Sequence, residues 1–159
     1  MIDKNKNLSF FNKEEVPNAK GLTFGIVVSE WNSNITENLF NGAYQTLLDC
    51  GVKKDDIHRY NVTGSYELVF GAKIAYKKKP KAIICLGSVI QGETKHFEFI
   101  CNSVAIGIKD LNLLLDIPVI FGVLTDNTME QAINRSGGKL GNKGTEAAIT
   151  AIKMAILNN

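Results

Sequence analysis

A three-layer α/β/α sandwich around a four-stranded parallel sheet is the architecture this sequence predicts, on three observations. Short β-branched apolar runs alternate with longer stripes of apolar residues spaced three and four apart, the contrast that separates buried strands from amphipathic helices. Strands joined through helices must run parallel, because a crossover returns the chain to the same end of the sheet, and right-handed crossovers place helices on both faces. With 159 residues, 45% hydrophobic and 21% charged, the chain amounts to one domain, able to bury about two thirds of its unfolded surface.

The elements follow in order. Residues 1–20, with Lys4, Asn5, Lys6, Asn7, Asn12 and Pro17, stand outside the alternation as an N-terminal arm ahead of a single domain at 21–159. The Leu8-Ser9-Phe10-Phe11 patch has two readings: an edge strand added to a neighbouring subunit's sheet, or a frayed tail. Leu22 to Ser29 reads as the first buried strand. Ile35, Leu39, Phe40, Ala43 and Leu47 form a helical stripe that Gly51 closes. Ile57 to Val62 is the second strand, and Leu68, Val69, Ala72, Ala75 and Tyr76 mark a helix ended by Pro80. Lys81 to Leu86 is the third strand, followed by a long stripe of Phe97, Ile100, Val104, Ile108, Leu111 and Leu115. Pro118 to Leu124 is the fourth, and Met129 to Arg135 and Thr145 to Leu157 read as two helices around a glycine-rich bend.

Composition excludes several function classes. Eighteen Lys plus Arg against 16 Asp plus Glu leave a net charge of +2, too weak a field to make nucleic acid the main partner. The three cysteines are odd in number and none sits in a C-x-x-C pair, so disulfides and zinc are not expected. Cys85, inside the apolar run Ala82 to Leu86, reads as a small buried hydrophobe of a reducing compartment, and the expected location is the cytoplasm. Residues 1–20 hold no apolar stretch of signal-peptide length, and Ile117 to Leu124, broken by Pro118 and Gly122, is far short of the roughly 18 residues a spanning helix needs, so neither export nor membrane insertion is expected. No two of the 14 glycines are spaced G-x-G, Gly138-Lys139 lacks the rest of a phosphate-binding loop, Ser65 is not in G-x-S-x-G, and neither His belongs to H-E-x-x-H. Lys77, Lys78, Lys79 and Lys81 read as a solvated helix end, and His58 as a surface or core residue.

In an open parallel sheet the ligand lies beyond the carboxyl ends of the strands. The segments there are Glu30-Trp31-Asn32, Thr63 to Glu67, Gly87 to His96, and Thr125-Asp126-Asn127. Trp31, the single tryptophan, suits either stacking on a planar heterocycle or capping of the core edge. Gly92-Glu93-Thr94 opens the long helix, which makes it an anion site through free N–H groups or a set of ordinary capping residues. His96, in the first turn, is placed to carry protons as a neutral base, and Arg135 offers a bidentate anion contact or simply a charge at a helix C-terminus.

Five blocks in this order extend the reading: Trp31-Asn32, Gly64 to Glu67, Gly87 to His96, Pro118 to Thr125, and Gly141 to Gly144 with Glu146-Ala147-Ala148. On them the chain resembles the 6,7-dimethyl-8-ribityllumazine synthase family over essentially everything after Gly21. The resemblance implies a flavodoxin-like fold and condensation of 5-amino-6-(D-ribitylamino)uracil with 3,4-dihydroxy-2-butanone 4-phosphate, with no metal or organic cofactor. It implies that Trp31 stacks on the pyrimidine and that Ser65, Tyr66 and Glu67 hold the ring and ribityl chain. Ser88, Val89 and Ile90 line the pocket, and Phe121 and Lys143 complete its pyrimidine end. Glu93, Thr94 and Arg135 take the phosphate, and His96 transfers protons. It further implies pentamers in which the neighbour contributes Phe121 and Arg135. The compact stretch Arg135 to Asn142, without a kink insertion, favours a sixty-subunit shell, which in turn raises riboflavin synthase as a partner. A non-catalytic flavin- or pteridine-binding module is the alternative, against which the intact His96 and anion site argue.

Overall fold

The computed structural model describes residues 7–159. Strands Phe24–Ser29 (β1), Ile57–Val62 (β2), Ala82–Ile90 (β3) and Val119–Asp126 (β4) form one all-parallel sheet in the order β2-β1-β3-β4. Helices Ser33–Asp49 (α1), Leu68–Tyr76 (α2), His96–Leu114 (α3), Met129–Arg135 (α4) and Lys143–Leu157 (α5) complete the predicted α/β/α layering. Every residue of β1 is buried, as a strand covered on both faces requires.

The pleat divides the core in two. Phe24, Ile26, Val28, Ile84, Leu86, Ile120 and Leu124 face Ile35, Leu39, Ala43 and Leu47 of α1 and Ala147, Ala148, Ala151, Ile152 and Ala155 of α5. Val27, Ile83, Cys85, Val119 and Val123 face Leu68, Ala72 and Ala75 of α2 and Val104, Ile108 and Leu111 of α3. On the first side the helices touch closely, since a Cβ at Gly144 would overlap the Leu39 carbonyl. Burial pushes the Cys85 thiol up to about 12, and all three cysteines are free.

Strands β1, β3 and β4 begin at Phe24, Ala82 and Val119 rather than at Leu22, Lys81 and Pro118, and hydrogen bonding sets four further boundaries apart from the sequence reading. β3 continues past Leu86 to Ile90, as Gly87 to Ile90 pair with Val123 to Asp126. β4 extends to Asp126 for the same reason. α3 begins at His96, not at Gly92-Glu93-Thr94; the Thr94 hydroxyl accepts from the His96 N–H at 3.3 Å. α5 begins at Lys143, because the Asn142 side chain caps the N–H groups of Gly144 and Thr145. The glycine-rich bend is an antiparallel ribbon of Ser136–Gly138 (β5) and Gly141–Asn142 (β6), turned by Gly137 at φ 110° and Gly141 at φ 92°.

The arm is tied to this ribbon. Leu8 N–H donates to the Leu140 carbonyl and the Asn142 N–H to the Ser9 hydroxyl, at 3.1 and 2.8 Å. Phe11 packs on the core, whereas Phe10 is 83% exposed. Residues 1–6 of the arm lie outside the described residues. Among the described residues no helix is long and apolar enough to cross a membrane.

Candidate active site

The carboxyl ends of β1, β2 and β3, with the start of α3, enclose a cavity of about 780 Å³, a size that takes a small organic ligand. Beyond β1 the chain stays bonded to the β2 end: Glu30 N–H donates to Val62 and Trp31 N–H to Thr63, at 2.8 and 3.1 Å. Trp31 is thereby held at the mouth, and at 70% exposure it does not cap the core. The next wall is the turn from β2 into α2, where Glu67 N–H donates to Gly64 and Leu68 N–H to Ser65. Ser65 is buried and sits against Gly87, so closely that a Cβ at Gly87 would stand 2.6 Å from its Oγ. Tyr66 and Glu67 follow it into the lining. Val89 and Ile90, at the end of β3, form the apolar floor opposite Thr94 and His96.

Trp31, Ser65, Tyr66, Glu67, Val89, Ile90, Thr94 and His96 are therefore brought together as the sequence predicts. An aromatic face, a carboxylate, hydroxyls and an imidazole surround a largely apolar floor, an arrangement suited to a flat polar heterocycle and to proton transfer at its edge. Phe97 and Ile100 also line the cavity. Sequence reasoning assigned them only to the core stripe of the long helix; the missed signal is that Ile100 stands four positions after His96 and three after Phe97, the spacings at which helix side chains are neighbours.

Five predicted site residues stand elsewhere in the single chain. Ser88 is fully buried, on the side of β3 opposite Val89. Glu93 is exposed outside the lining, and Phe121 packs half-buried against the α2–α3 side of the core. Arg135 and Lys143 form a second cluster with Glu146: Arg135 lies 2.7 Å from Glu146 Oε1 and Lys143 3.4 Å from Oε2. Arg135 also donates to the Leu140 carbonyl at 2.9 Å, and its side chain is 15% exposed. Burial pushes the nearby Asp126 carboxyl up, a shift the Arg135 charge opposes. Glu146, which pairs with both cations, was quoted only within a sequence block; its place three residues after Lys143 was the available sign. Among the described residues, no group of three or more His, Cys, Asp or Glu is arranged to hold a metal ion.

Comparison with known proteins connects this cavity to a chemistry. The family model described as 6,7-dimethyl-8-ribityllumazine synthase matches residues 21–159. A 6,7-dimethyl-8-ribityllumazine synthase of Flavobacterium johnsoniae is 60% identical over 158 residues, covering 99% of this chain and 83% of that protein. The same enzyme of Flavobacterium psychrophilum is 58% identical, covering 99% and 84%. That of Christiangramia forsetii is also 58% identical, covering 99% and 95%. The match spans every element that builds the cavity and the Arg135 cluster, and the chain belongs to the 6,7-dimethyl-8-ribityllumazine synthase family.

Proposed function

We propose that the rim cavity is where this chain carries out its family's reaction. The chain is a transferase of riboflavin biosynthesis, condensing 5-amino-6-(D-ribitylamino)uracil with 3,4-dihydroxy-2-butanone 4-phosphate to 6,7-dimethyl-8-ribityllumazine, phosphate and water. The observation that carries the assignment of place is the gathering of Trp31, Tyr66, Glu67, Thr94 and His96 around one cavity at the carboxyl ends of the strands.

In this reading Trp31 stacks on the pyrimidine, Ser65, Tyr66 and Glu67 hold the ring and ribityl chain, and Ser88, Val89 and Ile90 form the floor, Ser88 through its backbone. Glu93 and Thr94 take the phosphate through backbone N–H groups, with Arg135 as the cation, while Phe121 and Lys143 close the pyrimidine end. The 5-amino group attacks the ketone, and loss of water gives an imine. Phosphate then leaves as an enol forms, the enol tautomerises to a ketone, the ribitylamine nitrogen adds to that carbonyl, and a second water leaves as the ring closes; His96 moves the protons. Holding two substrates together supplies most of the acceleration.

The site is completed between subunits, with Phe121 and Arg135 arriving from a neighbour. Two observations support this: Arg135 lies outside the cavity of its own chain, and α2 and α3 expose Phe70, Phe99, Ile106, Leu113 and Leu114, more apolar surface than a lone subunit ordinarily leaves bare. Pentamers are the assembly, with residues 1–20 as an arm on the domain at 21–159. The short ribbon from Ser136 to Asn142 favours a further sixty-subunit shell, able to house riboflavin synthase in the cytoplasm.

The test mixes purified protein with both substrates and follows lumazine fluorescence against a no-enzyme control, since the uncatalysed condensation also proceeds. Acceleration above that control, lost in Trp31→Ala and Arg135→Ala together with weakened binding of the respective substrates, is expected. A folded, assembled protein without acceleration overturns the reading. Native mass measurement showing only monomers at working concentration overturns the assembly.

A further inference from the structure

Asn32 joins β1 to α1 with φ 56° and ψ 49°, the left-handed conformation that a residue with a Cβ adopts only at a cost. Lys79 is the other non-glycine residue with positive φ among the described residues, and it lies at the opposite end of the sheet, after α2. Asn32 makes no cap to its own helix; its side chain instead donates from Nδ2 to the Ser88 carbonyl, 3.0 Å away and 56 residues on. The β1–β3 ladder ends at the pair Val28 and Leu86, so this amide carries the contact between the two strand ends beyond the last paired residues.

Both neighbours of this contact are walls of the cavity. Trp31 directly precedes Asn32, and Val89 and Ile90 directly follow Ser88. We propose that Asn32 is a positioning residue for the pyrimidine substrate: its left-handed turn sets Trp31 at the mouth, and its amide fixes the separation between Trp31 and the β3 floor. The inference rests on Trp31 being the stacking face for that substrate. Asn32 itself does not line the cavity and acts through its neighbour.

The backbone and amide contributions separate by substitution. Asn32→Gly keeps the left-handed turn at no steric cost but loses the amide, whereas Asn32→Ala loses both. Each variant is titrated calorimetrically with the ribitylaminouracil alone and with the butanone phosphate alone, in the parent and in a Trp31→Ala background. One net hydrogen bond corresponds to about fivefold in affinity. Asn32→Gly is therefore expected to weaken pyrimidine binding about fivefold, and Asn32→Ala more than that. Butanone phosphate binding should move less than twofold. In the Trp31→Ala background, Asn32→Gly should add less than twofold, the non-additivity expected of a residue acting through another. The fast component of the anisotropy decay of Trp31, the single tryptophan, should grow in Asn32→Gly.

Unchanged pyrimidine affinity in Asn32→Gly overturns the proposal, and so does the same loss in the presence and absence of Trp31, which would mark a merely structural role. If Trp31→Ala weakens pyrimidine binding while Asn32→Gly does not, Asn32 alone is misassigned. If Trp31→Ala leaves that binding unchanged, the stacking assignment falls and this inference with it. Should Asn32→Ala fail to assemble, Asn32→Gly decides the question by itself.

Discussion

Replacing Gly87 by Ala perturbs the cavity from beneath, through Ser65, while leaving every side chain assigned to the substrates chemically intact. A Cβ there would lie 2.6 Å from Ser65 Oγ, 3.0 Å from Leu68 Cδ1 and 3.4 Å from Ser65 Cβ. The closest of these is roughly 1 Å inside an ordinary van der Waals separation. Ser65 is 6% exposed and Leu68 fully buried, so neither swings into solvent to make room. Overpacking of this kind costs about 1–3 kcal/mol, which for a chain of this length lowers Tm by roughly 2–12 °C. Relief comes most easily by lifting the Ser65 turn, which carries Tyr66 and Glu67 with it; a displacement of about 1 Å in positioning residues costs on the order of 10²-fold in rate. Thermal unfolding at fixed protein concentration and steady-state kcat/KM for the pyrimidine test both consequences. A variant with Tm within about 1 °C and kcat/KM within about twofold of the parent, each below the range expected for overpacking, refutes the reasoning.

Three further outcomes follow from the same structure. His96→Ala should slow turnover by about 10²-fold or less, at the low end of what general acid–base groups supply, because proximity carries most of the acceleration; complete loss in a correctly assembled variant contradicts this. Asn142→Ala removes the cap on the Gly144 and Thr145 N–H groups and the bond to the Asn38 carbonyl. It should cost about 1–2 kcal/mol in urea unfolding, and a change under about 0.5 kcal/mol counts against the cap. For Asp126, burial raises the carboxyl above its ordinary value of 3.8 and the Arg135 charge only partly offsets this. The fold thus favours the protonated form, whose stabilising contribution is complete below the ordinary carboxylate range and lost as pH rises through the raised value. Asp126→Asn should therefore be more stable than the parent at pH 7, with the gap closing towards pH 4 in thermal scans; a gap that persists or grows on acidification reverses the sign.

What was legible in the sequence is what the apolar pattern alone determines. Ile57–Val62 and Met129–Arg135 were bounded to the residue, because turn-forming residues flank them: Thr63-Gly64 after the first, Asn127-Thr128 before and Ser136-Gly137 after the second. The end of β3 was not, since Gly87 and Ser88 look like a turn and only the partner strand β4 holds them in the ladder. Nor was the β5–β6 ribbon, whose pairing rests on the backbone of Gly137 and Gly141 rather than on any β-forming side chain. In the site, the rule that ligands lie past the strand ends led to the segments holding Trp31, Ser65 to Glu67, Val89, Ile90, Thr94 and His96, and the resemblance gave Ser65 to Glu67, Val89 and Ile90 their expected roles. Phe97 and Ile100 stayed hidden because one helix face serves both core and cavity. Asn32 was invisible in principle: a left-handed turn bonded to a residue 56 positions away leaves no local pattern.

The close contact between α1 and α5 also sets a timetable. The apolar face of α1, with Ile35, Leu39, Ala43 and Leu47, shares one core cluster with the sheet and with α5, which begins roughly ninety residues after α1 ends. At ordinary synthesis rates that interval is about 5–20 s, during which the first helix has emerged from the ribosome and its cover has not. Gly144, where the two backbones come together, lies at the start of that later helix. This half of the core therefore assembles only once α5 has been made, and the newborn chain carries a sticky surface until that helix arrives.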